Sequence, residues 1–316
     1  MALVALGISA LAGAGGGDTE KASAPRLTGA GATPMQIANG PLPAQSPNRV
    51  AIHFHRPPRA GLLFDLRTGQ PLWQHDAGRR LPIASLTKMM TGLIVTKRHR
   101  PGERVRITRA ALAYQGSGIG LLPRGRKVTV GALLDGLMLV SGNDAAIALA
   151  QHDAGSVPAF IRRMNQWARS MGLGCTHFST PNGFLDAGNH SCATDLASLA
   201  RADLANPTLR RLARTRHVRV RFPIAGGHLE LNNNNPLLGE PGVTGLKTGL
   251  TDRAGRCYVI TAERGRRGLG VVLLNSTNPI AQIHRLLRAG WRARAQSAAA
   301  LPAADRRAGA RSRPSG

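Results

Sequence analysis

Ala84-Ser85-Leu86-Thr87-Lys88-Met89-Met90-Thr91 is the stretch from which the rest of the chain can be read. Pro82 and Ile83 lead into it, and Leu86, Met89, Met90, Leu93 and Ile94 give an apolar run at helical spacing. The pattern predicts the opening turn of a buried helix with Ser85 as its cap. Three residues apart on such a helix, Ser85 and Lys88 lie on one face with adjacent side chains. A serine hydroxyl is a poor nucleophile unless a neighbour takes its proton. A lysine whose ammonium form is disfavoured by burial or by other cations can do so. Alone, Ser-x-x-Lys carries little weight, because it commonly marks a cap beside a solvated lysine.

Two remote stretches change that reading. Val140-Ser141-Gly142-Asn143-Asp144 falls between two predicted helices, Val130 to Leu139 and Asp144 to Gln151. Gly245-Leu246-Lys247-Thr248-Gly249 lies in a strand-like run that turns at Thr251-Asp252-Arg253-Ala254-Gly255. Ser-x-x-Lys, Ser-Asp-Asn and Lys-Thr-Gly, in that order, are the signature of penicillin-binding proteins and serine β-lactamases. Here Ser141-Gly142-Asn143 fills the middle slot. The chain has five lysines against thirty-seven arginines, and two of the five occupy motif positions. Arginine does not deprotonate in proteins and could not replace Lys88 as a base.

On these motifs the chain resembles the serine D-alanyl-D-alanine carboxypeptidases, the low-molecular-mass penicillin-binding proteins of peptidase family S11. The resemblance runs from about Arg59 to about Asn278. It extends to Thr176-His177-Phe178, Pro181-Asn182-Gly183, Ser191-Cys192-Ala193-Thr194-Asp195-Leu196-Ala197 and Asn233-Asn234-Asn235 before Leu237-Leu238. The Ser-Gly-Asn spelling favours S11 over the β-lactamases.

The resemblance implies Ser85 as nucleophile, Lys88 as its base and Ser141 as the proton relay to the departing D-alanine. Asn143 would bind the substrate's peptide amide, Lys247 and Thr248 its terminal carboxylate. Gly249 would leave room for substrate along the strand edge, and the Ser85 amide with one near Leu250 would form the oxyanion hole. The loop Gln115-Gly116-Ser117-Gly118 would lie near the cleft. No metal or cofactor is implied. The implied partners are a peptidoglycan stem peptide and, as covalent inhibitors, β-lactam antibiotics. Related readings are a serine β-lactamase, a peptidoglycan DD-endopeptidase, or an inactive binder of cell-wall peptide. Class A β-lactamases deacylate with a glutamate, and between Ser141 and Lys247 the only glutamates are Glu230 and Glu240, both late.

A formal net charge of +26 raises the alternative of a nucleic-acid binder. The arginines are scattered through every segment, and no zinc-finger, helix-turn-helix or RNA-binding aromatic signature accompanies them, so nucleic acid is not expected. Cys175, Cys192 and Cys257 include no Cys-x-x-Cys. The spacing leaves open a pairing of Cys175 with Cys192 in an oxidising compartment. His177, His190 and His228 lack metal-like spacing. Asp144 and Asp195 read as helix caps or orienting groups at helix starts.

Met1 to Ala14 is apolar, too short for a membrane span and suited to the core of a secretory signal, with Ala22-Ser23-Ala24 as a cleavage site. It lacks the positive residues that usually precede such a run, which points to a start upstream. The expected organisation is a signal segment over 1–24, a linker over 25–58, a catalytic domain over 59–296 and a disordered Ala/Arg-rich tail over 297–316. Export to a periplasmic or cell-wall-facing site follows from the leader. Larger S11 enzymes carry a second β-rich domain and an amphipathic anchor helix; neither is read here, which leaves membrane association open.

A hairpin at Gly61–Leu66 and Pro71–Gln74 precedes the helices, and strands Cys257–Ala262 and Leu269–Asn275 with a closing helix Pro279–Ala295 follow them. Val105–Ile107 and Val128–Val130 would pair as a short ribbon. Pro158–Met171 and Thr194–Ala205 read as helices, and Val218–Phe222 with His228–Leu231 as a hairpin. The order implies an α+β domain, an antiparallel sheet holding the hairpin and the last three strands. The helices around Ser85 and Ser141 are expected against that sheet. With the family resemblance, this becomes a β-lactamase/DD-peptidase-like fold, with helices flanking the sheet and an inserted helical subdomain.

Overall fold

The apolar run Ala60–Asp65 forms strand β1 and returns as β2, Pro71–His75. The turn between them is held by Asp65, whose Oδ1 accepts the Thr68 amide at 2.6 Å. A 3₁₀ turn, Ala84–Thr87, then leads into helix α1, Lys88–Arg98. The computed structural model describes residues 48–184 and 188–299; the signal segment, most of the expected linker and the tail beyond Ala299 lie outside the described residues.

Strands β3 (Arg104–Arg106) and β4 (Lys127–Thr129) pair as the expected ribbon, with the short helix α2 (Arg109–Leu112) between them. Helices α3 (Val130–Met138), α4 (Asn143–Ala154) and α5 (Val157–Ser170) complete the helical subdomain. Local causes are visible at two of the starts: Thr129 Oγ1 caps α3, and Ser156 Oγ caps α5 with Pro158 in its first turn. Helix α6 (Ala193–Ala205) is followed at once by α7 (Pro207–Arg214), which is not among the expected helices although Leu209, Leu212 and Ala213 recur at helical spacing and form its buried face. A second signal is present: Asn206 accepts the Thr208 and Leu209 amides, and Pro207 opens the helix.

Strands β5 (His217–Arg221) and β6 (His228–Asn232) form a hairpin whose alternating exposure matches their alternating sequence. Strands β7 (Val243–Thr251), β8 (Gly255–Arg264) and β9 (Arg267–Leu274) precede the closing helix α8 (Pro279–Ala299). The main sheet is antiparallel with order β2-β1-β9-β8-β7, as expected. Strands β1 and β9 are buried on both faces, which explains why they read as continuous apolar runs rather than as alternations. Ile283, Leu286 and Leu287 of α8 pack on one face. The other face meets α6, which contacts β1 and β9.

Contrary to expectation, the helix bearing the Ser-Gly-Asn motif does not lie against the main sheet. Helix α4 packs on α1, α3 and α5, while α6 covers the face of the sheet opposite α8. Packing also begins inside the stretch read as linker. The Arg49 and Val50 amides both donate to Leu72 O, Val50 is buried, and Trp73 Nε1 donates to Ile52 O at 3.2 Å. Strand β7 ends the sheet on its outer edge, and the 3₁₀ turn bearing Ser85 packs against β7 and β8. That contact places the Ser85 motif beside the Lys247 motif.

Candidate active site

In a 3₁₀ turn, residues i and i+3 eclipse. Lys88 Nζ accordingly lies 2.9 Å from Ser85 Oγ. Ser85 is not a cap: no side chain caps the turn or the helix, the α-helix begins at Lys88, and the Ser85 hydroxyl is turned to the lysine. Ala84, just before it, has φ +49°, a left-handed conformation uncommon for a residue with a Cβ.

Lys88 is fully buried, and its Nζ also donates to Asn143 Oδ1 at 2.7 Å and Asn182 O at 2.8 Å. Burial holds its pKa well below the ordinary lysine value. The positive charge of Lys247 pushes the same way, and Asp144 partly opposes them. Once the amine is neutral, one lone pair replaces one donor, and the Ser85 O–H can donate to Nζ. The pair is thus built for proton transfer from serine to lysine.

Asn143 opens α4, and its two side-chain ends are both used. Its Oδ1 accepts from Lys88, which settles which end is oxygen, and Nδ2 donates to Gln115 O at 2.5 Å. One oxygen lone pair and one N–H are still available for a substrate amide. Ser141 sits at φ +62°, and its Oγ is buried with no hydrogen-bond partner among the described residues. A strained backbone carrying an orphan buried hydroxyl marks a position kept for something other than packing.

Asp144 is not the cap of α4; Gly142 holds that position. Its carboxylate accepts the Ile119 and Gly120 amides at 3.0 Å each, besides the Ala145 amide. The loop Gln115–Gly120 is therefore strapped across the Ser-Gly-Asn turn, in keeping with the place the family resemblance implies for it. From the other side, Asn234 N donates to Leu139 O and its Nδ2 to Val140 O, so the asparagine run braces the approach to Ser141.

On β7, Gly249 is a point at which the strand comes close to the Ser85 turn. A Cβ there would lie 2.9 Å from Ser85 N and 3.1 Å from Ala84 Cβ, so the glycine lets the strand close on the nucleophile turn. Lys247, two residues earlier, shares that strand face. It is buried, its Nζ donates to Thr248 O at 3.1 Å, and burial lowers its pKa to about 7. Thr248 is half-buried between them on the edge strand.

The segment Pro181–Gly183 has a role that sequence reading does not assign. Besides Asn182 O on Lys88, Pro181 O accepts Thr91 Oγ1 at 2.7 Å, and Gly183, at φ +78°, presses against Ala84 O. A disulfide between Cys175 and Cys192 closes the chain around this segment, contributing about 3 kcal/mol by restricting the unfolded chain. Asp195 belongs to the same brace. It is not the cap of α6, whose cap position is Cys192; its Oδ2 accepts the Cys175 amide at 2.8 Å and Thr176 Oγ1 at 2.7 Å.

The arrangement thus combines a serine beside a buried amine, an orphan serine hydroxyl, and a buried cation on a sheet edge. Such a site can open an acyl bond whose far side ends in a carboxylate.

A family model described as D-alanyl-D-alanine carboxypeptidase, Peptidase S11, matches residues 55–278. A Bacillus subtilis D-alanyl-D-alanine carboxypeptidase, DacF, is 33% identical over 225 residues, covering 69% of this chain and 58% of that protein. The chain thus spans less than three-fifths of that relative's length. A Mycobacterium tuberculosis D-alanyl-D-alanine carboxypeptidase, DacB2, is 34% identical over 221 residues, 69% of this chain and 75% of that one. Among solved structures, a point mutant of the Streptomyces K15 DD-transpeptidase superposes with a TM-score of 0.71 at 31% identity, over 76% of this chain and 99% of that one.

Proposed function

This chain belongs to peptidase family S11, the D-alanyl-D-alanine carboxypeptidases, with their DD-peptidase fold, and we propose that it removes the terminal D-alanine from peptidoglycan stem pentapeptides through an acyl-enzyme on Ser85. The observation that carries this reading is the convergence on one buried amine of Ser85, Asn143 and Asn182, the two asparagines standing 55 and 94 residues away from Lys88.

In the first step Ser85 Oγ attacks the carbonyl carbon between the two D-alanines as Lys88 Nζ takes the hydroxyl proton. The tetrahedral oxyanion is received by the Ser85 amide and an amide of β7 near Leu250. The C–N bond then breaks, and the departing amine receives a proton passed from Lys88 through Ser141, whose buried Oγ suits a relay. Water attacks the ester in the second step, with the proton movements reversed. Lys247 and Thr248 hold the substrate's terminal carboxylate, Asn143 its peptide amide. The outer edge of β7 accepts the peptide as an added strand.

The test is product analysis with a synthetic pentapeptide ending in two D-alanines: one D-alanine and a tetrapeptide are expected. Penicillin, which mimics that end, should leave a stable adduct on the peptide containing Ser85. Rapid turnover of penicillin would instead make the protein a β-lactamase, and release of peptides from purified cross-linked muropeptides an endopeptidase.

Lys247 sets a pH dependence. With its pKa near 7, the lysine is charged below that pH and loses charge above it. A bound carboxylate favours the charged form, so kcat/KM for the peptide should fall above pH about 7, by up to about tenfold per unit. Lys247→Arg keeps its charge and should flatten this alkaline limb. An unchanged limb in that variant would remove Lys247 from carboxylate binding.

We place the protein outside the cytoplasm, facing the cell wall. The Cys175–Cys192 disulfide supports an oxidising compartment. No helix among the described residues is long and apolar enough to cross a membrane.

A further inference from the structure

Helices α1 and α4 carry Lys88 and Asn143 at their N-terminal ends, where those residues meet. Their opposite ends meet too, in a cluster that the chemistry above does not use. His99 ends α1, His152 and Asp153 lie in the last turn of α4, and Glu103 immediately precedes β3. His99 Nδ1 lies 2.8 Å from Glu103 Oε2, and His152 Nε2 lies 3.4 Å from the same oxygen. The two imidazole rings stand 4.8 Å apart, and the three ligand atoms all lie within 4.8 Å of one another.

The geometry shows what the cluster could hold. His99 also places Nε2 3.0 Å from Asp153 Oδ1, so the ring is anchored on that side. Its Nδ1 faces the space shared with Glu103 Oε2 and His152 Nε2, where three atoms of metal-ligating type converge.

We propose that His99 Nδ1, Glu103 Oε2 and His152 Nε2 form a binding site for a zinc-like divalent cation, which staples the C-terminal ends of α1 and α4. The donor set of two imidazoles and one carboxylate suits zinc or a neighbouring transition metal and not magnesium or calcium, which take oxygen ligands. Bonds of about 2.0–2.2 Å to a tetrahedral zinc separate ligand atoms by roughly 3.4 Å, a small adjustment from the distances present. The surrounding contacts are those of a built site. Asp153 on His99 Nε2 makes the carboxylate–histidine–metal arrangement that fixes a ligand ring, and Arg98 and Arg163 hold Asp153. The Arg100 amide on Glu103 Oε1, at 2.7 Å, aims Oε2 inward. The Glu103 and His152 side chains are 37% and 24% exposed, which leaves solvent access for a fourth ligand. Cys175, Cys192 and Asp195 also cluster, but both sulfurs are spent in the disulfide.

The test uses chelator-treated full-length protein titrated with Zn²⁺ alone. One equivalent should bind and, at a hundredfold excess over Kd, raise the melting midpoint by roughly 5–10 °C, with Mg²⁺ giving no such rise. His152→Ala should weaken binding at least tenfold. Co²⁺ in the unmutated protein should give the visible absorption of a four-coordinate site, a readout that survives if the variant folds poorly. Absence of saturable binding, an equal effect of Mg²⁺, or Zn²⁺ affinity unchanged in His152→Ala would overturn the proposal. The last outcome would direct attention to the stacked pair His177 and His190.

Discussion

Lys88→Met is expected to slow acylation by penicillin about 10⁴-fold, at the upper end of what a positioned general base contributes. Methionine has a similar length and keeps the buried volume filled, so a loss of that size reports chemistry. The variant removes a buried amine whose desolvation is costly, which is favourable, and leaves Asn143 Oδ1 and Asn182 O without a donor, which is not. The two effects oppose each other, and the melting midpoint should move by only a few degrees. Lys88→Arg is the discriminating companion. It retains a positive charge but cannot give up a proton, so it should be as inactive as Lys88→Met. If arginine instead preserved substantial acylation, Lys88 would be acting by its charge and the base would have to be sought elsewhere. Adduct formation followed over time by intact mass, with calorimetry on the same samples, makes both measurements.

Periodicity and short spacing carry what is legible in this sequence. Ser85 and Lys88 are three residues apart, so any helical reading puts them together, and the strands of the sheet show as apolar runs between turn residues. The difference at Ser85 is one of helix type: a 3₁₀ turn and an α-helix both bring residues i and i+3 together, and they differ in whether the backbone amide bonds three residues back, as the Lys88 amide does to Ser85 O, or four. Helix α7 escapes because an eight-residue helix with four arginine or threonine positions has a short apolar face; Asn206-Pro207 is its better signal. Asp144 and Asp195 read as caps because acidic residues at helix starts usually serve there. Both instead bind amides of loops 20 to 25 residues distant, a relation that no local pattern encodes. The same holds for Asn182, whose contribution to Lys88 is a backbone carbonyl and leaves no mark in side-chain identity.

Gly183 shows how much of the site rests on such unmarked contacts, and Gly183→Ala should be the most damaging substitution outside the motifs. Two costs coincide at this position. Its φ of +78° disfavours any residue with a Cβ, and the added carbon would lie 1.9 Å from Ala84 O and 2.7 Å from Thr87 Oγ1. The Ala84 oxygen belongs to the backbone of the nucleophile turn and cannot rotate aside. Relief requires that either this turn or the Pro181–Gly183 segment move by about an ångström or more. Either movement separates Ser85, Lys88 and Asn182 O, and a displacement of that size can cost about 10²-fold in rate. We expect acylation to fall at least that far, with a stability loss of about 3 kcal/mol and a melting midpoint lower by roughly 10 °C. Gly265→Ala provides the control. Its φ is +57°, in the turn between β8 and β9, and nothing lies within 4 Å of the added carbon. That variant should lose only the left-handed backbone preference, about 1 kcal/mol, and acylate at the normal rate. Equal damage from the two substitutions would mean that backbone conformation alone accounts for Gly183, and that the segment does not hold the nucleophile in place.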